Sequence, residues 1–233
     1  MILAVVLGLA SRTPILTFHD VVPKRTAQSL WFDCSVKELE DQIRYFKSNG
    51  AVFVSTKQIA DALTTHRPLP PKAICFTFAD NYEGFYRYAW PILKREKIPT
   101  TQFVHTGFVG SPQGRPKMTW DQLKELDRSG LVTIASQTVS HPEDLPSLNE
   151  SQVLKEFRIS KTSLEKHLGH PVDQIAYPNG RFNATVTGLA KRAGYRIAFT
   201  EECRVAESAH DMYQVPRYVH TKYLQAWRDK KLK

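Results

Sequence analysis

The sequence predicts an α/β fold, a parallel (β/α) barrel of about seven strands built as one domain. Three observations carry this. Short apolar runs alternate with longer amphipathic stretches from Ile15 to Tyr218. Within the short runs apolar residues are continuous, as in strands covered on both faces. Helix-start signals fall between them. A length of 233 residues with 42% hydrophobic residues is enough for one domain with a substantial core.

The strand expectations, in order, are Ile15–Phe18, Ala51–Val54, Ala73–Phe78, Thr101–Val104, Val132–Ala135, Gln174–Tyr177 and Arg196–Phe199. Helices are expected between them at Val36–Ser48, Lys57–Thr64, Phe85–Glu96, Trp120–Arg128, Ser151–His167 and Ala184–Ala193. Ser35 with Glu38 three residues on, and Thr119 with Gln122, have the spacing of capping boxes. Gly50 and Gly194 are placed to end helices, and Asn183 to begin one. Residues 13–222 are read as the barrel and 223–233 as a basic C-terminal tail. Residues 1–12, opening "MILAVVLGLA", read either as the remnant of an export signal or as a first strand; the run is too short to span a membrane.

The net charge is +9, from 32 Lys+Arg against 23 Asp+Glu. Such an excess favours solubility and draws the chain towards polyanions. No basic run is interleaved with aromatics, which argues against nucleic acid as a partner. The three cysteines, Cys34, Cys75 and Cys203, form no CxxC pair and so no cysteine-based zinc signature. Cys75 reads as core, and a Cys34–Cys203 disulfide stays open.

In a parallel barrel the chemistry sits at the carboxyl ends of the strands. His19 and Asp20 follow the first strand, Asp80 the third and His105 the fourth. "SQTVSHPEDL", with His141, follows the fifth, and "YPNG" the sixth. Histidines and a carboxylate gathered at one end are the materials of a metal site or an acid/base pair. Taken singly each is ordinary: Asp80 is a fit helix cap, "YPNG" a turn, and His105 a hydrogen-bonded loop histidine.

Together these segments resemble a known family. "CFTFADNY" is similar to the first motif of the polysaccharide deacetylases, the family-four carbohydrate esterases, whose pattern is Thr-Phe-Asp-Asp-Gly. "SQTVSHPEDL" is similar to their second motif, His-Thr/Ser-x-x-His followed by Pro-x-x-Leu. "AYPNG" and "TFHDVV" resemble segments of the branch that deacetylates poly-N-acetylglucosamine, as do "MTWDQLKELDRSG" and "WFDCSVKELEDQIRYFKSNG".

The resemblance implies a distorted (β/α) barrel, a divalent metal (commonly zinc), an N-acetylglucosamine polymer or peptidoglycan as partner, and a periplasmic, cell-surface or secreted location. By position Asp80 and His141 are metal ligands, and Tyr177, Pro178, Asn179 and Trp120 bind substrate. His19 is the better candidate for the general acid, with His220 the weaker. Two positions depart from the pattern: Ala79 stands where the base Asp belongs, and Gln137 where the first metal histidine belongs. A methyl group accepts no proton, and an amide oxygen is a poorer zinc ligand than imidazole. Asp20, Glu83 or a second water are candidate substitute bases. Three readings follow: a metal-dependent N-deacetylase with impaired hydrolysis, a glycan-binding pseudoenzyme, or an active deacetylase altered at these two positions.

Overall fold

The computed structural model describes residues 12–230. The segment beginning "MILAVVLGLA", read as export signal or strand, and the last three residues of the basic tail lie outside the described residues.

The strands are β1 (Ile15–Phe18), β2 (Val21–Val22), β3 (Cys34–Ser35), β4 (Val52–Phe53), β5 (Ala73–Phe78), β6 (Thr100–Val104), β7 (Val132–Ser136), β8 (Gln174–Ala176), β9 (Ile197–Phe199) and β10 (Tyr218–Val219). The main sheet runs β10-β1-β5-β6-β7-β8-β9, all parallel, with β4 also paired to β5. The sheet curls so that the segment after Asp211 spans its two edges. Ala198 and Thr200 donate to the Met212 and Val215 carbonyls, and Tyr218–Val219 then pairs with β1. The resulting distorted (β/α) barrel is the expected fold.

Both sheet faces are buried, which is why the strands read as unbroken apolar runs. Ile15, Ala73, Cys75, Phe103, Ala135 and Phe199 fill the barrel interior. Leu16, Phe18, Ile74, Phe76 and Phe78 point outward beneath the helices. The helices are α1 (Val36–Ser48), α2 (Thr56–Thr65), α3 (Trp90–Arg95), α4 (Trp120–Arg128), α5 (Glu150–Leu168), α6 (Ala184–Arg192) and α7 (Tyr223–Asp229).

Both expected capping boxes form: Ser35 with Glu38 begins α1, and Thr119 with Gln122 begins α4. Gly50 and Gly194 take φ of 74° and 84°, the left-handed backbone that lets a chain leave a helix. A π-helical turn, Phe85–Ala89, precedes α3; Pro91 there has no N–H to give the Arg87 carbonyl.

Strands β2, β3 and β10 and helix α7 have no counterpart among the sequence expectations. Strands β2 and β3 pair through Val21 and Cys34 and close the loop between them. The stretch marked off as a basic tail begins with α7, whose Ala226 and Trp227 are buried. All three cysteines are free, so no Cys34–Cys203 disulfide is present.

Candidate active site

β5 ends at Phe78, and the Ala79 N–H donates to the Phe18 carbonyl at 2.9 Å. Asp80 and Asn81 then take φ of 67° and 40°. Asp and Asn enter this left-handed region more readily than most residues, and Gly most readily of all. Asn81 therefore meets the backbone requirement at the position where the resembling motif has Gly.

The turn is locked from several sides. The Asn81 side-chain oxygen accepts the His105 N–H at 3.3 Å, and its carbonyl accepts the Met118 N–H at 2.9 Å. Tyr82 and Lys117 form an isolated antiparallel bridge. The loop after β7 faces the same turn. There Thr138 and His141 take φ of 71° and 51°. Glu156 of α5 holds this loop by accepting from the Val139 and Ser140 N–H groups at 2.8 and 2.9 Å and from the Ser140 hydroxyl at 2.8 Å.

Asp80, Gln137 and His141 meet at this point. Gln137 Nε2 donates to Asp80 Oδ1 at 2.8 Å, and the Asp80 N–H donates to Gln137 Oε1 at 2.8 Å. A backbone N–H can only donate, so the amide oxygen must face it and the amide nitrogen must face the carboxylate. His141 Nε2 lies 3.5 Å from the same Oδ1. Behind the carboxylate, His105 Nε2 at 2.8 Å and Lys117 Nζ at 2.9 Å both donate to the Asp80 carbonyl. Lys117 Nζ also lies 3.3 Å from the Tyr82 ring centroid.

The electrostatics follow from this crowding. Burial raises the Asp80 carboxyl, but His19, His141, His105 and Lys117 together hold it below the usual carboxylate range. Burial likewise pushes the Lys117 ammonium down to about 8 and the His105 imidazole down to about 4.

The His19 ring lies 5.2 Å from Phe32, and its Nδ1 is buried without a partner. Its neighbour His220 is 2% exposed and stacks on Phe18 at 5.1 Å. Burial and the nearby His19 lower His220 to about 4. An unfolded histidine binds a proton near 6.5, so between about 6.5 and 4 the unfolded chain holds the extra proton and stability falls as the pH falls. From pH 6.5 to 5 the expected loss through this group is about 2 kcal/mol. Urea unfolding at pH 7 and pH 5 should show a smaller difference for His220→Gln than for the native chain.

Ala79 continues the face of Ala73, Cys75 and Thr77 that turns into the barrel. In that interior lies Arg217, fully buried, which sequence reasoning did not single out. Its guanidinium donates to the Thr200 carbonyl at 3.0 Å, the Thr17 hydroxyl at 3.2 Å and Glu201 Oε1 at 3.3 Å.

The two side chains that are candidate substitute bases are engaged elsewhere. Asp20 pairs with Arg115 at 2.9 Å, and Glu83 with Arg87 at 3.1 Å.

The residues expected around the substrate separate. Tyr177 is wholly buried, packed beside Phe157 and Phe182, with its hydroxyl donating to the Tyr213 carbonyl at 3.0 Å. Its side chain, expected beside the substrate, stands in the core. Pro178 is buried beside it, and Asn179 at φ 54° donates to the Glu143 carbonyl at 2.9 Å, tying the β8 turn to the β7 loop. Trp120 stacks on His167 at 3.7 Å, where α4 meets α5. It is not among the groups surrounding Asp80.

A divalent cation held as the family resemblance implies needs three converging side-chain donors. The present residues do not fit that arrangement. Among the described residues no group of three His, Cys, Asp or Glu could hold a metal ion. Gln137 turns its only ligating atom, Oε1, to the Asp80 N–H and sets an N–H against the carboxylate oxygen. Two donors remain, the carboxylate of Asp80 and the imidazole of His141.

Known proteins agree with the fold and the branch. The poly-beta-1,6-N-acetyl-D-glucosamine N-deacetylase of Staphylococcus aureus is 29% identical over 196 residues, covering 80% of this chain and 67% of its own. The structure of the Streptococcus pyogenes deacetylase PplD, in complex with acetate, superposes with a TM-score of 0.84 at 26% identity, covering 94% of this chain and 99% of its own. IcaB from Ammonifex degensii superposes with a TM-score of 0.83 at 27% identity, covering 96% and 98%. The family model for polysaccharide deacetylases matches residues 66–198, more than half of the sequence, and the chain belongs to the polysaccharide deacetylase family.

Proposed function

We propose that this chain holds an N-acetylglucosamine polymer at the Asp80 cluster without hydrolysing its acetamides at the rate of a metal-loaded deacetylase. The observation that carries the proposal is the reciprocal pair between Gln137 and Asp80. It engages one carboxylate oxygen and the only amide oxygen, at the two positions where the family pattern places metal ligands. Ala79 adds a second deficit, because a general base contributes roughly two to four orders of magnitude. The polymer class is supported by the Staphylococcus aureus relative, whose name states poly-beta-1,6-N-acetyl-D-glucosamine. Such a partner supports a periplasmic, cell-surface or secreted location. Among the described residues no helix is long and apolar enough to cross a membrane.

The test is calorimetric titration with a β-1,6-linked N-acetylglucosamine hexamer, with zinc and with EDTA, alongside measured acetate release. Binding should be the same under both conditions, with little acetate released. Rapid acetate release abolished by EDTA would overturn the proposal and make the chain a working metal-dependent deacetylase.

A further inference from the structure

We infer that Trp31 is the floor of a second sugar subsite, taking the pyranose ring of an N-acetylglucosamine polymer next to the residue held at Asp80. The inference rests on the glycan-binding reading above. Trp31 is 63% exposed, the most exposed large hydrophobic side chain among the described residues. Its exposure does not come from a slack loop. The β2–β3 pairing closes both ends of the loop. Inside it, Asp33 accepts the Leu30 N–H at 2.7 Å, and the Asp33 N–H returns to the Leu30 carbonyl at 3.1 Å. Arg115 forks onto the fully buried Asp33 carboxylate, and Arg25 donates to the Asp33 and Leu30 carbonyls at 2.9 and 3.2 Å. A bidentate guanidinium–carboxylate pair gives this anchor a fixed geometry.

The anchored ring faces the site. Its centroid is 6.3 Å from His19 and 5.6 Å from Phe32, both edge-on. Phe32 in turn stacks on Tyr82 at 6.2 Å, two residues beyond Asp80. The aromatic wall thus runs without a break from the Asp80 turn to an open indole face. A β-linked N-acetylglucosamine ring carries its polar groups equatorially and shows flat patches of C–H to either side. Such a patch packs on an indole while the hydroxyls stay in water, as amphipathic aromatic surfaces favour. A subsite beyond the reacting residue also suits a polymer, whose sugars must lie on either side of any bound unit.

The experiment compares native protein, Trp31→Ala and Trp31→Tyr against the N-acetylglucosamine monosaccharide and its β-1,6-linked hexamer, by titration and by tryptophan emission. Trp31→Ala should weaken hexamer binding about five- to tenfold. It should leave monosaccharide binding and Tm unchanged, and Trp31→Tyr should recover most of the loss. The emission change on adding hexamer should vanish in Trp31→Ala. Equal losses for monosaccharide and hexamer would overturn the inference, since Trp31 would then merely shape the first site. Unchanged hexamer affinity in Trp31→Ala would overturn it as well. An emission shift with anionic phospholipid vesicles but none with hexamer would make this a membrane-facing ring and reject the subsite. Absence of hexamer binding by the native protein would reject the glycan reading itself, and the subsite with it.

Discussion

Ala79→Asp combined with Gln137→His is expected to raise zinc-dependent acetate release from an N-acetylglucosamine oligomer by roughly two to four orders of magnitude, the range a positioned general base supplies. Either change alone should do little. Gln137→His removes the amide N–H that now occupies Asp80 Oδ1 and places an imidazole four residues before His141. The loop carrying both is already held by Glu156, so a histidine there enters a prepared position. By itself it strengthens zinc binding but leaves nothing to take a proton.

Ala79→Asp supplies that acceptor, on the barrel-facing side of β5. Ala79 is 1% exposed, so the new carboxylate is desolvated, and the buried Arg217 guanidinium in the same interior offsets part of that cost. By itself it gains no metal ligand. Because each change needs the other, the pair should show strong positive coupling in a double-mutant cycle read as acetate released per enzyme with and without added zinc. An additive response, or no gain with glycan still bound, would show that the site has diverged beyond these two positions.

Trp227→Ala is expected to cost about 3–5 kcal/mol, as large-to-small changes of a buried tryptophan do. For a chain of this length that lowers Tm by roughly 6–20 °C. Trp227 is 2% exposed and packs edge-on against Phe46 of α1, with ring centroids 5.4 Å apart. Its indole N–H has no partner, so the loss is one of apolar burial and cavity formation. Around it, α7 is fastened to the start of the described chain. The Tyr218 hydroxyl donates to Asp229 Oδ2 at 2.8 Å, Arg12 Nε to the Asp229 carbonyl at 2.9 Å and Lys230 Nζ to the Arg12 carbonyl at 2.7 Å. Thermal and urea unfolding of the variant decide the matter. A change below about 1 kcal/mol, within the range of surface substitutions, would mean that α7 adds little to the fold and behaves as a tail.

The sequence by itself determined the parallel architecture, most helix starts and the identity of the site-forming turns. These are local or periodic signals. Strands buried on both faces must be apolar throughout, as Ala73–Phe78 is, and a capping box needs only residues three apart. The departures from the family pattern at Ala79 and Gln137 were also legible, because a side chain's capacity to accept a proton or ligate a metal is a property of its type.

What only the tertiary structure decided depends on residues far apart in the chain. Strands β2, β3 and β10 are two residues long, below the length at which any period can be read. Lys117 reaches Asp80 through pairing with Tyr82, and Arg217 enters the barrel because β10 pairs with β1; neither position has a local signature. Tyr177 lies in a turn motif that looks exposed, yet its ring is covered by α5 and by the segment carrying Tyr213. Which way the Gln137 amide points was settled by a single backbone N–H at Asp80, 57 residues earlier, whose fixed polarity takes the amide oxygen and leaves the amide nitrogen to face the carboxylate.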